Sequence, residues 1–227
     1  HVTLITTRPN RYASLKADAP DFEDRGWLHI HRIALPAHQS GMADQARAYL
    51  HYAQGVRQLT RGRHWDAVFA TSSRLMTAGL GAHVARRLGA PLYLDIRDLF
   101  TDNMDELLAG SPIKAMMPGF RLLERTAFGR ASRINVVSEG FVPHIRKVAP
   151  GVPVSVFTNG IDEIFSEADF TKRGSASPLP LVVYAGNMGE GQGLHRIVPE
   201  VADRLTGKVR FRLVGDGGRR AARVHPP

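Results

Sequence analysis

The sequence predicts an α/β protein with a parallel sheet covered by helices on both faces, followed by the beginning of a second sheet of the same kind. Short apolar runs rich in β-branched residues alternate with longer stretches whose apolar residues recur at helical spacing. Strands that alternate with helices are typical of parallel sheets. A polar segment at 166–180 interrupts the alternation, which begins again at Leu181. We therefore predict domains at 1–165 and 181–227, joined by a linker at 166–180.

The elements of the first domain follow from two periodicities. Strands are predicted where apolar, β-branched residues cluster over a few positions. They are Val2–Thr7, Leu28–Leu35, Ala67–Ala70 and the apolar parts of the stretches 91–98, 133–141 and 153–160. Helices are predicted where apolar residues recur every three or four positions. They are Met42–Leu59, Leu75–Leu88, Ile113–Ala131 and Val142–Val148, with a kink or a break at Pro118.

The second domain begins with a predicted strand at Leu181–Ala185, which leads into a glycine-rich turn and a helix from Leu194; another strand follows from Val209. The glycines of the turn are Gly186, Gly189, Gly191 and Gly193. Glycine allows a phosphate to approach the backbone closely, and a helix N-terminus favours an anion. The turn matches neither the dinucleotide-binding fingerprint nor the P-loop. From the residues alone, a phosphate site and a simple tight turn both remain open.

Composition narrows the classes of partner. The chain has 227 residues with 30 Lys and Arg against 21 Asp and Glu, which favours anionic partners or simply gives a basic surface. No recognised nucleic-acid-binding motif accompanies this charge, so nucleic acid is not expected as a partner. Cysteine is absent and the histidines lack metal-binding spacing, so no disulfide and no metal site are predicted. No apolar run reaches the roughly 20 residues of a membrane-spanning helix.

Polar residues follow the predicted strands at the positions where open α/β sheets bind ligands, the carboxyl ends of the strands. Besides the glycine-rich turn, these segments are Thr71–Ser73, Asp95–Asp98, Ser138–Gly140, Thr158–Asp162 and Gly215–Gly217. Each segment also has a purely structural interpretation. Arg97 and Asp98 are compatible with a local ion pair or a helix cap, and the Asn-Gly pair at 159–160 with a turn. Ser138 is compatible with a cap of the helix that follows it.

The segment YAGNMGEGQGL (184–194) is preceded by TNGID (158–162) and followed by RLVGDG (212–217). This combination resembles the retaining glycosyltransferases of the two-domain GT-B fold, and more narrowly family 4, the sugar-nucleotide-dependent enzymes that build bacterial O-antigen and capsule. The segments DIRDLFTD and RINVVSEGF are similar to further parts of that family, so the resemblance covers nearly the whole chain. It implies two Rossmann-like domains, with the acceptor side in the first and the donor side in the second.

The resemblance also implies roles for the residues at matching positions. The implied donor-binding residues are Gly186, Asn187, Gly189, Gly191, Gln192, Gly193, Asn159, Gly160 and Asp216. Asp98 is implied as the catalytic residue, which would orient the acceptor or polarise its hydroxyl group. The acceptor side is implied to include Arg97, Ser138 and Glu139. Members of the family generally need no metal, because helix dipoles and basic side chains offset the charge of the leaving diphosphate.

The implied activity is the transfer of a hexosyl-type sugar from a UDP-linked donor to a lipid-linked or saccharide acceptor, with retention and without a cofactor, in the synthesis of lipopolysaccharide and related surface polysaccharides. The expected location is the cytoplasm, with peripheral contact at the inner face of the cell membrane. Arg57, Arg61 and Arg63 would there meet anionic headgroups, or they form a solvated helix face. A non-catalytic Rossmann-like module that binds a nucleotide or a protein partner is the alternative interpretation.

Several departures from the family pattern bear on activity. No pair of glutamates has the E-x7-E spacing of the family, and Gln192 occupies a position where many members have lysine. The glycine-rich loop after the first N-terminal strand is also missing, and the chain begins without methionine. We therefore expect a fragment of a longer transferase, lacking its first strand and most of its second domain and inactive by itself.

Overall fold

The computed structural model describes residues 1–9, 19–36, 42–72, 74–99, 101, 112–167, 178–189 and 192–217. The strands are β1 (Val2–Thr7), β2 (Phe22–Asp24), β3 (Leu28–Ile33), β4 (Val68–Ser72), β5 (Leu92–Ile96), β6 (Arg133–Val136), β7 (Val154–Val156), β8 (Leu181–Ala185) and β9 (Arg210–Val214). The α-helices are α1 (Met42–Leu59), α2 (Leu75–Leu88), α3 (Met117–Gly129), α4 (Val142–Val148), α5 (Glu163–Ser166) and α6 (Leu194–Arg204). Short 3-10 helices occupy Pro112–Met116 and Glu139–Phe141.

The chain divides into two compact units. The larger unit comprises 3–5 and 33–162, and the smaller unit comprises 1–2, 6–32 and 163–227. Residues 168–177, which form most of the predicted linker, lie outside the described residues. The predicted domain boundaries stay a prediction.

A parallel sheet of order β4-β5-β6-β7 forms the centre of the larger unit. Leu92 and Leu94 of β5 and Ile134 and Val136 of β6 are 1% exposed or less, and Ile145 of α4 packs in the same core. Parallel strands covered on both faces require nearly continuous apolar sequence. This is why β5 and β6 were recognisable as short apolar runs.

Helix α2 packs closely on this sheet because a glycine faces the strand beside it. A Cβ atom at Gly81 would lie 2.7 Å from the Cβ atom of Ala70 in β4, so a larger residue would push helix and strand apart. The helix ends at Gly89, whose φ of 64° is a left-handed conformation that glycine adopts without strain. A short turn then leads into β5, which places the C-terminal end of α2 at the edge where the strands begin.

One of the first three strands of the chain, β2, departs from the predicted parallel arrangement. The three strands form a separate sheet of order β1-β3-β2, in which β2 pairs antiparallel with β3. β2 is not among the predicted strands, because Phe22, Glu23 and Asp24 form neither an apolar run nor a long alternation. β3 ends at Ile33, two residues before its predicted limit at Leu35.

Pro118 divides the helical stretch predicted at Ile113–Ala131. A 3-10 helix ends at Met116, and Pro118 lies in the first turn of α3. Proline is favourable there because the first N–H groups of a helix have no acceptor within it. The bounds predicted for α1, α2, α4, β1 and β8 agree with the structure.

The smaller unit contains a parallel pair of strands, β8 and β9, with Leu181 opposite Arg210 and Tyr184 opposite Leu213. The glycine-rich turn and helix α6 connect the two strands along the chain. Among the described residues of the whole chain, no helix is long and apolar enough to cross a membrane.

Candidate functional site

A row of polar side chains crosses the buried sheet of the larger unit near the carboxyl ends of its strands. The strand register places Thr71 of β4 opposite Asp95 of β5, Asp95 opposite Asn135 of β6, and Asn135 opposite Ser155 of β7. Their immediate neighbours along β5 and β6 are buried and apolar. Side chains at one register of a parallel sheet point to the same face, so the row brings donors and acceptors within reach of one another.

Asp95 is the centre of this row. Its side chain is buried, and its carboxylate accepts hydrogen bonds from Thr71 Oγ1 at 2.7 Å and Asn135 Nδ2 at 2.6 Å. The Arg97 Nε–H donates to the same carboxylate at 2.9 Å. Burial by itself raises the pKa of Asp95, but the hydrogen bonds from Asn135 and Thr71 and the charge of Arg97 outweigh it and hold this pKa below its usual range. Asp95 is therefore a carboxylate at neutral pH, held by three donors.

Arg97 connects this row to a segment far along the chain. Its Nη1 donates to Oδ1 of Asn159, 62 residues later, while its Nε is held by Asp95. Its side chain remains 48% exposed. Within the described residues, its remaining amino group, Nη2, has no hydrogen-bond partner. The structure therefore orients one guanidinium group and leaves part of it available to a ligand, since arginine presents five N–H donors in a rigid plane.

Asn135 positions the segment that carries Asn159. Its Oδ1 accepts from the backbone N–H of Phe157 at 2.9 Å, directly after β7. Its Nδ2 donates to Asp95, so a single amide side chain joins the exits of β5 and β7. The structure thus brings together the predicted residues Arg97 and Asn159 through Asp95, which lies in one of the predicted strand-end segments, and Asn135, which lies in none of them.

The predicted catalytic residue, Asp98, lies exposed beside a different group of side chains. With Arg74 and Glu124 it lines a cleft of only about 10 Å³, close to the minimum volume for one water molecule. Glu124 is buried and accepts hydrogen bonds from Thr101 Oγ1 at 2.8 and 2.9 Å, and His144 Nε2 lies 3.2 Å from it. The catalytic role of Asp98 stays a prediction.

Ser138 and Glu139 follow β6 on an exposed turn. Ser138 Oγ accepts from the backbone N–H of Gly140 at 3.2 Å and thereby caps the 3-10 helix that begins at Glu139. The structural interpretation of Ser138 is therefore confirmed, whereas the acceptor-side roles of Ser138 and Glu139 stay predictions. Gly160 is exposed, and a Cβ atom added to it would contact no atom within 4 Å.

In the smaller unit, the side chain of Gln192 organises the glycine-rich turn. Its Oε1 accepts from the backbone N–H of Gly189 and from Nδ2 of Asn187, both at 3.1 Å. The carbonyl of Asn187 in turn accepts from the Tyr184 hydroxyl at 2.7 Å. Gly193 directly precedes helix α6 and has a φ of 63°, in the left-handed region. Gly191 lies outside the described residues.

The segment after β9 lies directly against this turn. The Gly186 N–H donates to the Val214 carbonyl at 2.9 Å, and the Met188 N–H donates to the Asp216 carbonyl at 2.8 Å. A Cβ atom at Gly215 would lie 1.8 Å from the Gly186 carbonyl oxygen, so the two backbones meet too closely for any side chain. The glycine beside Asp216 thus has a packing role, and the donor-binding roles of Asp216 and the turn stay predictions.

The sequence placed Thr71 and Asp95 in strand-end segments, but it predicted neither the role of Asn135 nor the contact of these three side chains. One signal was available, since a single polar residue interrupts the apolar run of both β5 and β6. A lone Asp or Asn at corresponding positions of neighbouring buried strands indicates paired polar groups, because an unpaired one would be costly.

Solved structures of other proteins resemble the chain. The chain is similar to the sucrose-phosphate synthase of Thermosynechococcus elongatus, with a TM-score of 0.66 and 12% identity, over 98% of this chain and 54% of that one. Phytolacca americana UGT2, complexed with UDP-2fluoro-glucose and pterostilbene, matches with a TM-score of 0.43 and 14% identity, over 82% of this chain and 58% of that one. The chain therefore spans little more than half the length of these proteins. The first match confirms the predicted Rossmann-like α/β fold.

At the level of sequence, no curated protein matches the chain. The family profile described as "Glycosyl transferase 4-like domain" matches residues 1–160. This range contains Asp95, Arg97, Asn135 and Asn159, and it covers well over half of the chain. The chain therefore belongs to the family of glycosyl transferase 4-like domains.

Proposed function

We propose that the chain serves in the transfer of a hexosyl-type sugar from a UDP-linked donor to a saccharide or lipid-linked acceptor, with retention, in the synthesis of bacterial lipopolysaccharide or related surface polysaccharide. The observation that carries this proposal is the guanidinium group of Arg97, fixed by Asp95 and Asn159 at the carboxyl edge of the sheet in a glycosyl transferase 4-like domain. A fixed, half-exposed arginine suits a ligand that carries hydroxyl and phosphate groups.

The donor diphosphate is proposed to bind at the glycine-rich turn. The N–H of Gly189 points to the side chain of Gln192, and helix α6 begins immediately afterwards. A diphosphate oxygen that replaced Gln192 Oε1 would accept the same N–H and face the positive end of the helix dipole. In this proposal Gln192 stands in for the ligand and moves aside when the donor binds.

Charge stabilisation is the chemistry that these residues offer. Negative charge develops on the leaving diphosphate during sugar transfer, and oriented N–H groups lower the barrier because they need no reorganisation at that moment. Arg97 would orient the sugar or the acceptor, and Asp98 would polarise the acceptor hydroxyl. That the reaction needs neither a metal nor a cofactor is part of the proposal.

The same proposal places the protein in the cytoplasm, in peripheral contact with the inner face of the membrane when the acceptor is lipid-linked. The membrane contact follows from the chemistry of the acceptor, since a lipid-linked saccharide is confined to the bilayer surface. Nucleic acid has no part in it.

Calorimetric titration with UDP and with uridine tests the donor site. We expect UDP to bind and uridine to bind at least about tenfold more weakly, because the diphosphate makes charge-assisted hydrogen bonds. Gly189→Ala should weaken UDP binding by a similar factor, since its Cβ atom would lie 3.0 Å from the position of Gln192 Oε1, which the diphosphate oxygen takes in this proposal. The matched control is Gly151→Ala, whose Cβ atom would meet nothing within 4 Å.

Equal binding of UDP and uridine, or an equal effect of the two glycine variants, would contradict the donor site. Because the chain is expected to be inactive by itself, a transfer assay of the full-length gene product with UDP-sugars and bacterial membrane extract then tests the activity. Arg97→Ala should abolish transfer, while Arg130→Ala, which changes an arginine outside the polar row, should leave it intact. UDP binding without transfer under any of these conditions would favour the alternative, a nucleotide-binding module.

A further inference from the structure

A cavity of about 420 Å³ opens in the larger unit where helices α1 and α2 end. The cavity residues come from the last turns of both helices and from the turn that leads from α1 to β4. The polar lining consists of Arg57, Thr60, Arg61, Arg63, His64, His83 and Arg87. Its volume is within the range of small-molecule sites, about 300 to 1,000 Å³.

The charge of this lining is entirely of one sign. Four arginines supply this charge, and no aspartate or glutamate lines the cavity. Among the described residues, none of these arginine side chains forms an ion pair or a hydrogen bond with another residue. The two helix C-termini contribute roughly half a negative charge each, which the four guanidinium groups outnumber. The cavity therefore carries a large positive excess that the described part of the protein does not neutralise.

The four arginines are exposed, and they surround one concave surface whose base is partly apolar. Val84 is buried at its base, and Leu88 and Thr60 are half-buried beside it. Gly62 adopts a φ of 68°, so the chain turns sharply between Arg61 and Arg63. Guanidinium groups held around one concave space repel each other, and a bound anion relieves that repulsion.

The cavity lies away from the polar row around Asp95. In a parallel sheet with helical crossovers, helix C-termini lie at the edge where strands begin. Thr71 and Asp95 both lie near the C-terminal ends of their strands, β4 and β5, and therefore at the other edge of the sheet. Binding at the cavity therefore does not compete with binding at Arg97.

We propose that this cavity is a second anion site, which binds a small, multiply charged, phosphate-bearing group. Arginine pairs with phosphate oxygens through two parallel N–H donors, and several arginines around one cavity favour a polyanion over a single charge. The same chemistry is offered by a soluble phosphate ester and by the headgroup of an acidic phospholipid. The proposal does not depend on the sugar-transfer function.

Calorimetry with inorganic pyrophosphate tests the site in the intact chain. The double variant Arg57→Gln, Arg87→Gln removes two lining cations, whereas Arg47→Gln, Arg86→Gln removes two cations from the same two helices outside the cavity. We expect pyrophosphate to bind the native protein, and the first variant to bind at least about tenfold more weakly. The second variant should bind as the native protein does. The single variants Arg87→Gln and Arg86→Gln repeat the comparison with a smaller perturbation.

Sedimentation with vesicles distinguishes the two sources of phosphate. Vesicles of phosphatidylglycerol and phosphatidylcholine are compared with vesicles of phosphatidylcholine alone, with and without pyrophosphate. If pyrophosphate abolishes vesicle binding, and if the variant Arg57→Gln, Arg87→Gln loses vesicle binding while the variant Arg47→Gln, Arg86→Gln keeps it, the ligand is a lipid headgroup. Pyrophosphate binding without vesicle binding assigns the site to a soluble ligand.

Thermal unfolding separates a ligand site from a structural role. If the arginines serve to bind an anion, pyrophosphate should raise the Tm of the native protein. Without ligand, the variant Arg57→Gln, Arg87→Gln should then have a Tm no lower than that of the native protein. A lowered Tm of that variant, together with unchanged pyrophosphate binding, would overturn the proposal. So would equal weakening of binding in both double variants, or no binding of pyrophosphate or acidic vesicles to the native protein.

Discussion

Two mostly apolar strands, β5 and β8, have opposite environments in this protein. β5 reads LYLDI and β8 reads LVVYA, and both are mostly apolar. Leu92 and Leu94 of β5 are 1% and 0% exposed, whereas Val182 and Val183 of β8 are 47% and 54% exposed. Apolar sequence predicted both strands correctly, but it did not determine how far either one is buried.

The number of neighbours explains this difference. β5 pairs on both sides, with β4 and β6, and helix α2 packs against it. Within the part of the chain that the structure describes, β8 pairs with β9 alone in a two-stranded sheet. A two-stranded sheet has little stability of its own, because it buries too little apolar surface to offset the entropy of ordering the chain. We therefore expect the larger unit to carry most of the stability of the chain.

Substitution of the first leucine of each strand gives the largest expected contrast. Leu92→Ala should lower the free energy of unfolding by about 3 kcal/mol, since it removes a fully buried side chain and leaves a cavity. Leu181→Ala, the same change at a residue that is 41% exposed, should cost about 1 kcal/mol or less. Urea unfolding followed by circular dichroism measures both. Equal losses for the two variants would refute the contrast between the strands.

Asp95→Asn tests the polar row inside the buried sheet. The change removes a carboxylate that accepts from Thr71, Asn135 and Arg97, and it leaves Arg97 without its counter-charge. Hydrogen bonds to charged groups are worth about 1.5 to 3 kcal/mol, so we expect a loss of about 2 kcal/mol at neutral pH. The measurement is urea unfolding at pH 7, with the exposed Asp203→Asn as the control. No loss beyond that of the control would show that the row contributes nothing to stability.

The same variant should also change the pH dependence of stability. The pKa of Asp95 is lower in the folded state than its ordinary value of 3.8, so its contribution is complete above that value. As the pH falls below 3.8 and through the folded pKa, the carboxylate is protonated and this contribution is lost. Asp95→Asn should therefore differ from the native protein most at neutral pH and least in acid. A difference that stays constant down to the acid limit would contradict the lowered pKa.

Gly215→Ala tests the close backbone contact in the smaller unit. Its effect on stability should be smaller than those of Leu92→Ala and Asp95→Asn. Its Cβ atom would lie 1.8 Å from the Gly186 carbonyl oxygen, so the segment after β9 must move away from the glycine-rich turn. The overpacking should cost about 1 to 2 kcal/mol, and the exposed strand pair can absorb part of it. Hydrogen exchange of the Gly186 and Met188 amides measures the loss of their bonds to 214–216. Gly151→Ala is the control, and unchanged exchange of both amides in Gly215→Ala would refute the contact.

Local features of the chain were predictable because they depend on neighbouring residues. Apolar spacing was sufficient for α1, α2 and β8, and Pro118 marked the start of α3, since proline disrupts a helix beyond its first turn. The glycines of the turn after β8 and the segments around Arg97 and Asn159 were sufficient to identify the resemblance to family 4. The antiparallel strand β2 was not predictable, because three residues without an apolar run carry no periodicity.

The assembly of the candidate sites was decided by tertiary structure. Asp95 and Asn135 are 40 residues apart in the chain, and only the register of β5 with β6 brings their side chains to 2.6 Å. The basic cavity is likewise lined by Arg57 of α1 and Arg87 of α2. From the sequence, Arg57 was considered only together with Arg61 and Arg63, which are close to it along the chain. A sequence by itself determines backbone preferences and apolar periodicity, since these act over a few residues. Burial, hydrogen bonding and shared charge depend on distances in space, and therefore only the folded chain decides them.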